Sequence, residues 1–115
     1  MSEKLGKVII SPGVLTTIAR LTALSIPGVA RLGTGWTDSV GRWMRRKRGG
    51  DGVHIEVEDD TVTVDLYIIV EPDVNMLRLS QEIQTNVTRA IQDMVGLTVK
   101  EVNIHIQDVE IPQEQ

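Results

Sequence analysis

Two runs of alternating apolar residues, at 53–57 and 62–70, constrain the fold of this chain more than any other feature. Odd-numbered positions are apolar in the first run and even-numbered positions in the second. This period of two predicts two β-strands, and Asp59-Asp60 between them predicts a hairpin turn. A one-residue slip would turn every apolar side chain to the opposite face, so the register is well specified. The predicted facing pairs are Val57 with Val62, Ile55 with Val64, His54 with Asp65, and Val53 with Leu66.

A first amphipathic helix is predicted before the hairpin. Ser11-Pro12 is typical of an N-cap followed by proline in the first helical turn, and Pro27-Gly28 ends the pattern. Apolar residues recur at the three- and four-residue spacing of one helix face. This predicted core stripe consists of Val14, Leu15, Ile18, Ala19, Leu21 and Leu24.

A second helix follows the hairpin. It is predicted to start at Pro72-Asp73 and to end at Gly96, a residue suited to the left-handed conformation that closes many helices. Polar residues occupy the opposite side, so the helix covers a core with one face only. The predicted stripe is Met76, Leu79, Ile83, Val87, Ala90 or Ile91, and Met94.

Two further strands complete the predicted order. Val8–Ile10 is a short β-branched run before the first helix, and Val102, Ile104 and Ile106 alternate with polar residues after the second. The order is therefore β-α-loop-β-β-α-β. It favours an α+β two-layer sandwich, with two helices packed on one face of a small, mostly antiparallel sheet. At 115 residues we expect a single domain over 1–115, with its core at about 6–111 and a polar tail at 112–115.

Residues 33–52 form a long linker without a core pattern, which is uncommon in a compact domain and usually functional or disordered. The linker contains both tryptophans and five of the twelve basic residues. These five bases lie at 42–48; the seven bases outside that run face all sixteen acids, so the chain without the run carries −9 and the run carries +5. We therefore select as candidate interaction residues Trp36, Arg42, Trp43, Met44, Arg45, Arg46, Lys47 and Arg48.

Three interpretations of segment 36–48 remain open. Drawn as a helix, it separates Trp36, Val40, Trp43 and Met44 from most of its cations, a pattern found in peptides on anionic membrane surfaces or in partner grooves. It also fits a solvated loop whose tryptophans fold over the protein's own core. Nucleic acid is the third interpretation, although the acidic body would repel a polyanion.

Other chemistry has weak support in the sequence. The absence of cysteine excludes disulfides, thiol nucleophiles and Cys-ligated metals. Gly33-x-Gly35 is not a dinucleotide fingerprint, because Asp38 stands where the third glycine belongs. The predicted His54–Asp65 opposition fits a general base or half of a metal site, but also an ordinary cross-strand pair. We expect no catalytic residue, no cofactor and no metal. The N-terminus lacks an apolar run long enough for a signal peptide, so we expect a cytoplasmic protein.

The order of these pieces resembles the alkaline shock protein twenty-three family of bacterial envelope stress-response proteins, over roughly residues 6–109. In the first half the resemblance rests on Gly6-Lys7-Val8-Ile9-Ile10-Ser11, Ile26-Pro27-Gly28-Val29 and Gly52-Val53-x-Ile55-x-Val57. In the second half it rests on Val64-x-Leu66-x-Ile68-x-Val70, Met94-x-Gly96-Leu97-x-Val99 and Val102-Asn103-Ile104-x-Ile106.

The resemblance implies a non-enzymatic cytoplasmic scaffold linked to cell-envelope stress and homeostasis. It implies a homo-oligomer that gathers at the inner face of the cell membrane through a membrane-anchored protein partner. It supplies no catalytic residues. The paired tryptophans and five cations of the linker exceed the few basic residues usual there, so direct contact with an anionic lipid surface stays open as an alternative.

Overall fold

The computed structural model describes residues 5–34 and 52–111. Along the chain the elements are α1 (Pro12–Leu24), β1 (Val29–Leu32), β2 (Val53–Glu58), β3 (Thr61–Val70), α2 (Met76–Met94) and β4 (Thr98–Val109). Both helices lie on one face of a four-stranded sheet, which confirms the predicted α+β class. The candidate residues at 36–48 lie outside the described part of the chain.

β3 is the centre of the sheet. β1 and β2 follow one another along one of its edges, both antiparallel, and β4 runs parallel to it along the other edge. The helix α2 makes the crossover that a parallel neighbour requires. The predicted hairpin register is confirmed at every pair, from Val57 opposite Val62 to Val53 opposite Leu66.

The core lies between the sheet and the helices. β3 contributes five side chains with no solvent exposure, α1 and α2 contribute four each, and no polar side chain is buried among the described residues. Burying one such aliphatic side chain contributes about 1.5–3 kcal/mol, so this layer supplies most of the stability. The buried residues of the three elements are Val62, Val64, Leu66, Ile68 and Val70; Leu15, Ile18, Ala19 and Ala23; and Leu79, Ile83, Val87 and Ile91.

One predicted strand is wrong. Residues 8–10 belong to no strand and are exposed, whereas Val29–Leu32, which is absent from the predicted strands, forms β1 against the end of β3. Both segments have strand-forming residues. Only the second reaches a partner, because the turn at Pro27-Gly28 returns the chain to the sheet; Gly28 has φ +111° there, and its carbonyl accepts from the amide of Glu71.

The helix boundaries are close to those predicted, with local differences. Ser11 occupies the N-cap of α1 but makes no capping side-chain bond, and α2 begins at Met76 after Asn75, whose side chain accepts from the Arg78 amide. Gly96 adopts the predicted left-handed conformation at φ +88°. Five residues of the predicted stripes are between 41% and 70% exposed, because they flank the contact or lie at helix ends: Val14, Leu21, Leu24, Met76 and Met94.

Candidate functional site: the open face of the sheet

The sheet face opposite the helices carries the polar side chains of all four strands, and we call it the open face. The alternation that buries the even-numbered residues of β3 turns the odd-numbered ones to this side. Its charged and aromatic members are Arg31, His54, Glu56, Glu58, Asp65, Tyr67, Glu101, His105 and Asp108.

Three side chains at the centre of the open face contact one another. The Nε2 atom of His105 lies 3.0 Å from Oδ1 of Asp65, and the imidazole stacks on the Tyr67 ring with centroids 4.2 Å apart and planes 10° apart. β3 and β4 place these residues in register, Tyr67 beside His105. The sequence pattern predicts that Asp65 and His105 lie on the polar face, with His105 one strand away as one possibility, but it does not predict their contact or the stacking on Tyr67, because the two residues are 40 positions apart in the chain.

His54 stands opposite Asp65, as predicted, but the hydrogen bond of the Asp65 carboxylate is with His105 and not with His54. Its Nε2 atom lies 3.5 Å from Oε2 of Glu56, a long contact within its own strand. The Asp65 carboxylate contacts His105 on the other side instead. Both histidine contacts are solvated pairs on a sheet surface, of a type that contributes less than about 1 kcal/mol to stability.

The pKa of Tyr67 is raised above its ordinary value. Burial against its neighbours is the main cause, and the negative charge of Asp65 adds to it. Both effects disfavour the phenolate, so the Tyr67 hydroxyl loses its proton at a higher pH than that of an ordinary tyrosine.

The electrostatic character of the open face is acidic. Glu56, Glu58, Asp65, Glu101 and Asp108 all lie on it. The one arginine on this face, among the described residues, is Arg31, whose guanidinium is already paired with the Glu110 carboxylate. This face therefore favours a cationic ligand over an anionic one.

The two ends of the linker meet at Tyr67. The Gly33 amide donates to the Tyr67 carbonyl at 2.7 Å, and the Tyr67 amide donates to the Gly52 carbonyl at 2.9 Å. A Cβ atom on Gly52 would lie 2.8 Å from the Gly33 carbonyl oxygen and 2.9 Å from Cβ of Leu32. Gly33 and Gly52, the two ends of the linker, are thus held at one point, where β1 ends and β2 begins. The sequence places Gly33 and Gly52 nineteen positions apart and gives no sign that they approach each other.

Neither a membrane span nor a metal cluster occurs in the part of the chain that the structure describes. No helix within 5–34 and 52–111 is long and apolar enough to cross a membrane. Over the same residues, no group of three or more His, Asp or Glu side chains is arranged to hold a metal ion.

The sequence of this chain matches one protein family and several bacterial relatives. The model of the alkaline shock protein twenty-three family, described as having a cell envelope-related function, matches residues 1–111. The uncharacterized protein YqhY of Bacillus subtilis strain 168 is 31% identical over 106 residues, which are 92% of this chain and 78% of YqhY. The uncharacterized protein Spy1535 of Streptococcus pyogenes serotype M6 is 31% identical over 109 residues, 94% of this chain and 82% of that protein.

Among solved structures, the chain resembles variants of the MamM-CTD. One aligns with a TM-score of 0.52 and 15% identity, covering 87% of this chain and 100% of that one. Another, a zinc form, aligns with a TM-score of 0.52 and 14% identity, covering 86% and 87%. At such identities the likeness shows a common fold alone.

Replacing Gly52 by alanine should destabilise the protein more than replacing Gly96. Both residues have positive φ, +84° and +88°, so each alanine loses about 1–2 kcal/mol to backbone strain. Only Gly52 is crowded; nothing lies within 4 Å of a Cβ at Gly96. Urea unfolding should show that Gly52→Ala costs at least about 1 kcal/mol more, from overpacking. Equal losses would contradict the close approach at the linker base.

Replacing Asp65 by asparagine should lower the pKa of Tyr67 without restoring its ordinary value, because burial remains. The chain has one tyrosine, so ultraviolet absorbance of the phenolate during an alkaline titration reports Tyr67 alone. Glu101→Gln, which removes a charge from the same face outside the cluster, is the matched control and should leave the titration unchanged. An Asp65→Asn titration identical to the wild type would refute the electrostatic contribution.

Proposed function

This chain belongs to the alkaline shock protein twenty-three family, whose function is cell envelope-related, and on that premise we propose that it is a non-enzymatic scaffold. In this proposal it acts in the cytoplasm, associates with further copies of itself, and docks on a membrane-anchored protein at the inner face of the cell membrane.

The open face is the observation that carries the proposal. Both helices cover the same side of the sheet, so the other side has no second layer within the described residues. Its side chains make short-range polar contacts and present accessible carboxylates. A flat, solvated surface of this kind suits protein recognition, whereas a reaction site needs a concave pocket that holds its substrate still.

The charge of the open face indicates the chemistry of the membrane-anchored partner. Cytoplasmic segments that flank a membrane-spanning helix are enriched in Lys and Arg. The five carboxylates of the open face complement such a segment, and complementary charge raises the association rate and selects the partner. A basic juxtamembrane segment of the partner therefore binds this face in the proposed arrangement.

Direct binding to an anionic membrane surface through segment 36–48 is the second candidate. It is favoured by the composition of the segment, which contains five cations and two tryptophans, and by the joining of the linker ends Gly33 and Gly52 at Tyr67. Each cation near an anionic surface contributes about 1 kcal/mol. Nucleic acid is a weaker candidate for the same segment, because the acidic open face lies beside the linker base.

Neutralising Glu56 and Glu58 together, as Glu→Gln, should weaken capture of the membrane-anchored partner. Both side chains are exposed on the open face. Losing two exposed charge pairs weakens the binding free energy by roughly 0.6–1.4 kcal/mol. Partner recovery by crosslinking in cells should therefore fall about three- to tenfold. The control is Glu82→Gln with Asp93→Asn, which makes the same charge change on exposed positions of α2. Equal recovery from both variants would rule out the open face as the docking surface.

Replacing Arg45 and Arg46 by glutamine should reduce sedimentation with anionic liposomes. Removing two cations, each worth about 1 kcal/mol of binding free energy, costs about 2 kcal/mol. This corresponds to roughly thirtyfold weaker binding to the liposomes. Arg78→Gln with Arg89→Gln removes the same charge from α2 and should have little effect. A wild-type protein that never sediments with anionic liposomes would eliminate direct lipid binding. A salt-sensitive shift of RNA at low salt would instead support the nucleic-acid candidate.

A further inference from the structure

Residues 5–10 form an exposed, mostly apolar segment that has no partner among the described residues. Leu5, Val8 and Ile9 are 93%, 89% and 83% exposed. Among the described residues none donates or accepts a hydrogen bond to this segment. A β-branched run with its backbone groups and side chains in water has the composition of a strand but lacks a sheet.

The same chain has a free sheet edge of matching length. The bond between the Tyr67 amide and the Gly52 carbonyl identifies 52 and 67 as a hydrogen-bonded pair. In an antiparallel ladder such pairs alternate, so the backbone groups of Val53, Ile55 and Val57 point away from β3. No bond to these groups is formed within the described part of the chain, and the Val57 side chain is 49% exposed.

The opposite edge of the sheet is partly covered. Along β4, the Gln84 side chain donates to the Val102 carbonyl at 3.0 Å, and the Gln92 side chain accepts from the Val99 amide at 3.2 Å. These contacts from α2 obstruct that edge against a further strand. The β2 edge has no comparable cover among the described residues, which makes it the site of strand addition.

We propose that residues 5–10 of one copy add as a strand to the outer edge of β2 in a second copy. The donor and the acceptor are each six residues long. Alternation then places Val8 and Ile10 over the half-exposed apolar row that ends at Val57, and Lys7 on the open face near Glu56 and Glu58. This inference rests on the self-association in the proposed function and names the surface that produces it.

A second copy is the occupant, because the protein's own segment lies in solvent while its own β2 edge remains empty of any described residue. Reciprocal donation would create two identical contacts and close a two-fold dimer, the commonest symmetry of soluble homo-oligomers. The acidic character of the acceptor edge also favours the Lys7-bearing strand over an acidic one.

Cysteine crosslinking tests the contact directly, since the natural chain contains no cysteine. A Val8→Cys copy and a differently tagged Val57→Cys copy, treated with a short bis-maleimide, should give the mixed dimer. Val8→Cys with Leu77→Cys, an exposed position on α2, is the matched control. Equal yields from the two mixtures would overturn the proposal.

Proline substitution tests the same contact by sedimentation. Val8→Pro removes a backbone N–H that donates no hydrogen bond in the monomer, so the melting temperature of the monomer should not change. The dissociation constant of self-association should rise at least about tenfold, because the added strand loses a donor. Ile111→Pro, at an exposed apolar position near the other end, should leave association unchanged. Undiminished association of Val8→Pro would overturn strand donation and leave the scaffold proposal standing. A wild type that remains monomeric at all concentrations would overturn self-association itself.

Discussion

The strict alternation of β3 is the constraint on which the rest of the structure depends. Its even-numbered side chains are excluded from solvent by two helices, and its odd-numbered ones form the centre of an uncovered polar surface. Because successive side chains point to opposite faces, a strand with this pattern has one buried face and one solvent-exposed face. β1, β2 and β4 all take their register from it.

The same strand connects the fold to the surfaces proposed for binding. Tyr67 contributes its ring to the stack with His105, and its backbone to the two bonds that hold Gly33 and Gly52 together. The acidic open face and the base of the basic linker therefore meet at one residue. In a cell envelope-related family, this arrangement places an acidic surface and a basic segment on one small domain.

Local pattern was sufficient for the hairpin and for the two helices, but not for the edges of the sheet. Val53 to Val57 specify their own register because a slip would expose every apolar side chain of the run. Val8–Ile10 consists of β-branched residues and Val29–Leu32 contains only one, yet only the second segment pairs with β3. Propensity is a weak guide for short segments, since a strand is stabilised by the neighbour it finds rather than by its own residues.

For the candidate site, too, the sequence predicted the face on which side chains lie but not which side chains touch. The sequence by itself determined that His54 stands opposite Asp65 on a polar face, that His105 alternates with the core residues of the last strand, and that the cations and tryptophans are concentrated in one linker. Only the tertiary structure decided that Asp65 contacts His105 rather than His54, and that the linker ends close on each other beside Tyr67. Alternation is a property of consecutive residues, whereas the identity of a neighbour 40 residues away depends on how α2 returns the chain to β3.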